Sequence, residues 1–226
     1  MGPNMSTIDA KIPLELRKKY EFHNFGHAFE ILSSACTNEW SEIVSALTAF
    51  TLPLSAVKKG GGNKSEIPKI FDALLNPKGW KEIRISGDLI VKLYPRLAKR
   101  GKKPGGFSKL PSSQTTIEGF IDGHNIDYVK NSVAFDLEWN SKDQTFDRDL
   151  LAMRTYFDCG VIDAGVIVTR SEELDDVFEA CGIIKKYGKS TTWMGKLLPR
   201  LKSRRNGGCP ILAIGIKKPC ITGGGT

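Results

Sequence analysis

Residues 161–169 and 210–216 constrain this chain more than any other feature. Both runs are mainly apolar, the first is rich in β-branched side chains, and neither shows the strict polar alternation of a half-solvated strand. A strand that is apolar on both faces has to be covered on both faces, which calls for helices on either side of a sheet. Helical patterns fall where that requires. Residues 145–157 carry apolar positions at Phe146, Leu150, Met153, Tyr156 and Phe157, with a cap expected at Asp143 or Thr145; residues 172–180 and 191–201 are two further helices. Residues 115–120, 125–129 and 132–139 have strand character. The order of these elements predicts an α/β fold with a central mixed β-sheet flanked by helices.

The first half reads as helical. Phe25, Phe29, Ile31 and Leu32 form one stripe, which puts His23 and His27 on the first helix; Trp40, Ile43, Val44 and Leu47 form a second, and Asn24 and Thr37 stand at cap positions. A third helix is expected over 66–75, and 80–85 is either a strand or a helix end. Lys58-Lys59-Gly60-Gly61-Gly62-Asn63-Lys64 reads as a basic loop. Residues 1–19 are expected to be an N-terminal tail, with Met1-Gly2-Pro3-Asn4 a cloning scar ahead of Met5, and 20–226 a single domain.

The net charge of +8 favours an anionic partner, of which nucleic acid is the commonest. No apolar run approaches the length of a membrane span, so no membrane partner is expected. Cys36, Cys159, Cys181, Cys209 and Cys220 lack zinc-ligand spacing and read as reduced core thiols of a cytosolic protein. Basic residues concentrate in two places. Residues 92–111 form a long loop or arm with Lys99, Arg100, Lys102 and Lys103, and a second group holds Lys189, Arg200, Lys202, Arg204 and Arg205 around Thr191 and Thr192. Either set would serve to neutralise a nucleic-acid backbone or stand as a solvated face.

The chemistry is concentrated between Asp127 and Asn140. Val133, Phe135 and Leu137 alternate with Ala134, Asp136 and Glu138, so a strand here turns both acids to one side and the apolar set to the core. With Lys130-Asn131 as a two-residue turn, Asp127 falls opposite Ala134, on the same face as Asp136 and diagonal to it; a turn one residue longer would put it on the other face. Three carboxylates on one face repel one another, and a divalent cation relieves that repulsion. Few, hard oxygen ligands suit Mg²⁺, with Mn²⁺ as its substitute, and such an ion equips a site to hydrolyse a phosphodiester. Asn140 would hold water or phosphate, or simply end the strand; Glu82 and His124 read as surface or structural groups. Arg148, on the following helix, is within possible reach of phosphate.

Asp127, then Asp136-x-Glu138, resembles the PD-(D/E)xK nuclease core and, within it, the BamHI, BglII and BstYI group of type II restriction endonucleases. The stretch from Asp127 to Ala134 is most similar to the BstYI type. So are Lys78-Gly79-Trp80-Lys81-Glu82, the segment from Phe25 to Trp40, and Gly208-Cys209-Pro210-Ile211-Leu212, and the similarity runs loosely over residues 20–217. Two positions depart from the usual pattern: Asp136 stands where Glu is common, and Glu138 where many nucleases carry Lys. The resemblance implies a prokaryotic, cytoplasmic homodimer that cuts double-stranded DNA at a short palindromic site. It implies catalysis by Asp127, Asp136 and Glu138, with metal held by those three and the Leu137 backbone carbonyl. Glu138 as ligand or as base is left open. Two other readings compete: a repair or recombination nuclease that reads structure, and a DNA-binding protein that kept the fold without the chemistry.

Overall fold

The computed structural model describes residues 11–59, 66–99, 101, 103 and 105–223. Its elements in chain order begin with α1 (Leu14–Lys19), β1 (Tyr20–Phe25), α2 (Ala28–Ser34), α3 (Thr37–Ala49), β2 (Leu52–Pro53), α4 (Leu54–Lys59) and α5 (Glu66–Leu75). Next come β3 (Lys81–Arg84), β4 (Gly87–Leu93), β5 (Ser113–Ile121), β6 (Asn125–Lys130) and β7 (Val133–Glu138). The chain finishes with α6 (Thr145–Asp158), β8 (Ala164–Arg170), α7 (Leu174–Ala180), α8 (Met194–Lys202), β9 (Ile211–Ile216) and β10 (Ile221–Thr222). The chain divides into two compact units, residues 1–83 with 126–226, and residues 84–125.

The larger unit is built on a six-stranded sheet in the order β1-β9-β8-β7-β6-β3. β7, β8 and β9 run parallel, while β6 and β1 are antiparallel to their neighbours, so the sheet is mixed as expected. The two apolar runs are β8 and β9, buried along their whole length. One face carries Val133, Phe135, Leu137, Val166, Val168, Leu212 and Ile214, which pack in one core with residues of α2, α3 and α5 such as Phe29, Leu47 and Phe71. The other face is covered by α6, and the approach is tight. A Cβ on Gly165 of β8 would lie 2.5 Å from Met153 Sδ and 2.8 Å from Ile211 Cδ1, so any larger residue would require those side-chain ends to move.

Some expectations for the first half need correction. Residues 20–25 form a strand rather than the start of a helix, so His23 lies on β1 opposite Ala213 and His27 precedes α2 with φ 61°. Phe25 had matched a helical stripe because Phe25, Phe29, Ile31 and Leu32 are spaced as one; pairing with β9 decides otherwise, a tertiary contact that local spacing does not carry. The N-cap of α2 is His27 rather than Asn24, although the Asn24 side-chain oxygen accepts the Phe29 N–H at 2.9 Å. Part of the supposed tail is ordered as α1, with Ile12 and Leu16 buried in the core. The cloning scar, and residues 60–64 of the basic loop, lie outside the described residues. Among the described residues no helix is long and apolar enough to cross a membrane. The five cysteines are free, but Cys159 is exposed and Cys181 half-buried rather than in the core, since both follow the last residue of a helix.

The smaller unit is an antiparallel hairpin of β4 and β5, in register from Leu93↔Ser113 to Leu89↔Ile117, with a shift before the pair Gly87↔Ile121. β4 was not foreseen, and the segment expected as a loop or arm over 92–111 starts inside it. The pairing continues beyond the strand ends through Arg96↔Phe107. Ile90, Leu97, Phe107, Leu110 and Phe120 are exposed. Two strands have no second layer on which to bury such residues.

Candidate active site

The site lies on the α6 side of the sheet. The β6–β7 turn is Asn131-Ser132, one residue later than expected, with Lys130↔Val133 and Tyr128↔Phe135 as partners. That register sets Asp127 opposite Asp136 rather than opposite Ala134. The loop keeps its length of two residues, so the parity and the face are as expected, and the acids come closer than the diagonal arrangement would allow. The shift has an identifiable cause. Asn131 takes the left-handed conformation at φ 48°, suited to a tight hairpin turn, and Lys130 is held in the strand by its ammonium. Lys130 Nζ donates to Glu42 Oε1 and Oε2 at 2.7 and 2.8 Å and to the Lys78 carbonyl at 2.7 Å. Asn131 Nδ2 donates to Glu39 on the same helix, α3.

Asp127 and Asp136 are tied to each other's strands. The Asp127 N–H donates to Asp136 Oδ1 at 3.1 Å, and the Asp127 carboxyl accepts the Leu137 N–H. Burial raises the Asp136 carboxyl well above the carboxylate range, with Asp149 and Asp127 adding repulsion. Burial also raises Asp127, although part of that residue meets solvent; its hydrogen bonds to Asp136 and Leu137 offset this only in part.

Glu138 turns elsewhere. Thr145 Oγ1, at the start of α6, donates to Glu138 Oε2 at 3.1 Å, Ser141 hydrogen-bonds to the same carboxyl, and the Asp149 carboxyl lies beside it. Burial raises it, against those hydrogen bonds. Thr145 therefore does not cap α6, whose N-cap is Gln144 without a side-chain bond. Asp149 is the acid that sequence reasoning missed. It is 1% exposed, burial and the neighbouring Glu138 charge push its carboxyl up to about 8, and its Oδ2 has no partner. The signal was present: Asp149 falls between Phe146 and Leu150 in a buried helical stripe, where an unpaired acid is costly. Glu82 on β3 adds its charge to the field at Asp127. Asn140 is left-handed at φ 58°, and its buried Oδ1 also has no partner.

No three His, Cys, Asp or Glu side chains among the described residues converge as a ready-made metal cage. The reason is the division just described, with Asp127 and Asp136 facing each other and Glu138 drawn toward α6. The donor set still suits a hard cation: oxygens only, mutually repelling, with an unpartnered carboxylate oxygen beside them. Mg²⁺ is ordinarily held by one or two carboxylates together with water and substrate phosphate, which needs no closed cage.

The basic candidates separate into two kinds. Arg200 donates through Nε and Nη2 to the two oxygens of Asp147, both at 3.1 Å, and Arg205 pairs with the same acid, so these two clamp α8 to the start of α6. Burial hides Thr192, whose hydroxyl accepts the Ser141 N–H; the Thr191 hydroxyl donates to the Gly188 carbonyl at 2.8 Å and accepts from Arg170. Lys189, Lys202 and Arg204 are exposed, as are Lys99 and Lys103 in the smaller unit; Arg100 and Lys102 lie outside the described residues.

An acid face on the central strands of a mixed α/β sheet, covered by a helix that brings in its own acid and arginine, has the layout of a restriction-endonuclease fold. The family model for the restriction endonucleases BglII/BglIII matches residues 20–216, and the chain belongs to that family. No curated protein matches the sequence. The protein is a type II restriction endonuclease that acts on DNA.

Proposed function

We propose that the chain hydrolyses phosphodiester bonds of double-stranded DNA at a short palindromic site, as a homodimer in a restriction-modification system of a prokaryotic cytoplasm. The observation that carries the catalytic part is the hydrogen bond from the Asp127 N–H to Asp136 Oδ1 beside Glu138, in the Asp127…Asp136-x-Glu138 order of a PD-(D/E)xK core. Asp127, Asp136 and the Leu137 carbonyl are the groups that would hold Mg²⁺ or Mn²⁺, with Glu138 as a further ligand or as the base. The ion, when bound, supplies charge to a phosphate oxygen and acidity to a water.

The chain's own residues do the rest. Asp127 and Asp136 have their positions fixed by backbone bonds to each other's strand, so little reorganisation is left for the reaction. Thr145 and Ser141 orient Glu138 toward a position from which its carboxyl can take a proton from water. Lys189, Lys202 and Arg204, with Lys99 and Lys103 from the hairpin, would neutralise backbone phosphates.

Plasmid digestion tests the reading. With Mg²⁺ the protein should give discrete bands, with EDTA none, and with Ca²⁺ it should bind without cutting. Asp136→Ala should lower cleavage on the order of a thousandfold or more while keeping specific binding in Ca²⁺. Smears or structure-dependent nicks would indicate a repair nuclease. Retention without cutting would indicate a binding protein.

A further inference from the structure

We propose that Arg148 binds the phosphate at which this site acts, and that Asp149 is the residue that positions it. The inference rests on the nuclease reading above.

The site as described is short of positive charge. Asp127, Asp136, Glu138 and Asp149 lie within electrostatic reach of one another, and a phosphodiester entering among them adds a further negative charge. Charge then builds on its non-bridging oxygens as water attacks, which a neighbouring cation stabilises. Among the described residues, Arg148 is the guanidinium within ion-pair reach of both Glu138 and Asp149. Its Nη2 lies 3.9 Å from Glu138 Oε1 and 3.1 Å from Asp149 Oδ1, and its Nε is 3.3 Å from the same Asp149 oxygen. Its charge is felt at Asp127 and Asp136 as well.

Two other arginine–acid pairs show what is unusual here. Arg170 also pairs with an acid, Asp175 at 2.6 Å, but its side chain is 1% exposed, closed in by the Tyr187 carbonyl and the Phe178 ring. Arg200 is sunk between Lys196, Asp143 and Asp147. Those arginines hold the fold together and offer nothing to a ligand. Arg148 has the reverse arrangement: the acid that anchors it is 2% exposed, while its own side chain is 64% exposed. A solvent-facing guanidinium on a buried, immobile anchor is held for something outside the protein. Asp149 keeps one oxygen, Oδ2, without a partner. An anchor of that kind limits the rotamers of Arg148 and leaves a fork suited to two phosphate oxygens.

The reaction balances without a proton from Arg148. The water oxygen joins phosphorus, the bond to the leaving sugar oxygen breaks with its electron pair, and the proton that the water loses is matched by the one that this oxygen takes up. Arg148 holds the non-bridging oxygens throughout.

The experiment uses the full chain and a duplex whose cleaved linkage has first been mapped on plasmid ends. That linkage is then replaced by a neutral methylphosphonate, and binding is titrated in Ca²⁺. The unsubstituted protein should bind the native duplex about tenfold or more tighter than the neutral one, and Arg148→Ala should erase most of that difference. Cleavage of native DNA by Arg148→Ala should fall roughly a hundredfold or more, with partial rescue by guanidinium ion and with Arg148→Lys intermediate. Asp149→Asn should weaken the same discrimination to a smaller degree; because Asp149 is buried, its thermal unfolding is measured alongside, and Arg148→Ala decides alone if Asp149→Asn does not fold. If Arg148→Ala keeps both the cleavage rate and the discrimination, the inference is wrong while the nuclease reading stands. If the unsubstituted protein never cuts DNA, both fall.

Discussion

The sheet unit and the hairpin unit differ in how completely their strands are enclosed. β7, β8 and β9 are buried residue by residue, acids included, whereas β4 and β5 are exposed along nearly their whole length. The acids of the first unit owe their raised pKa values to that enclosure, since burial is the first cause at Asp127, Asp136, Glu138 and Asp149 alike. The hairpin has no comparable interior, and Lys92, Lys99, Lys103 and Lys109 are exposed. Positioned chemistry and adaptable contact thus sit on different kinds of strand.

The strongest way to break this comparison is to remove an aromatic ring from each unit. Phe135 packs against Phe71, Trp80 and Tyr128, and Phe135→Ala should cost about 3–5 kcal/mol in denaturant unfolding. Phe120 is 60% exposed, and Phe120→Ala should stay within about 0.5 kcal/mol. Equal costs would mean that the hairpin has a core of its own.

A smaller effect belongs to the pin under the β6–β7 turn. Burial pushes the Glu42 carboxyl up, but the Lys130 ammonium and the Trp80 indole N–H outweigh it and hold it below its ordinary value. Its contribution is then complete above the unfolded carboxyl range and is lost as pH falls through the lower folded value. Glu42→Gln should cost about 1.5–3 kcal/mol near neutral pH, with the gap to the unsubstituted protein closing below about pH 4. A gap that stays constant down to pH 3 would rule out the ion pair as its source.

The smallest effect sharpens the comparison at the DNA surface. Lys99 and Lys103 replaced together by Ala should make the slope of log K against log salt shallower by about 0.9 for each true phosphate contact. Two contacts would amount to roughly tenfold between 50 and 200 mM salt. Arg200→Ala should instead lower the unfolding midpoint and leave the slope alone, because its fork is on Asp147.

Much of this was legible in the sequence, for stated reasons. The sheet, the strands from β6 to β9 and α6 to α8 were visible because their apolar periods are set by burial, whereas the exposed β5 was visible only through its strand-forming residue types. The shared face of Asp127, Asp136 and Glu138 followed from a period of two and a two-residue turn. What escaped depends on partners distant in the chain. β1 is a strand because β9 lies beside it. The turn moved by one residue because Glu42, 88 positions before Lys130, holds the lysine in the strand. Asp149 was hidden because an acid in an apolar stripe looks like a solvent-facing residue until the strand opposite is known.

The Lys130 pin gives the helical half of the chain a role at the site although the candidate catalytic acids Asp127, Asp136 and Glu138 all lie outside that half. A one-residue slip of a hairpin would flip every side chain, but the expected and observed β6–β7 registers differ by two residues and keep the same faces, so the apolar pattern alone does not choose between them. α3 supplies the preference by gripping Lys130 through Glu42 and Asn131 through Glu39, as a key holds a shaft against a gear in one phase. Side chains on the acid face are therefore open to exchange, but spacing is not. An inserted or deleted residue between Asp127 and Asp136 would be resisted first by α3, well before any acid was misplaced.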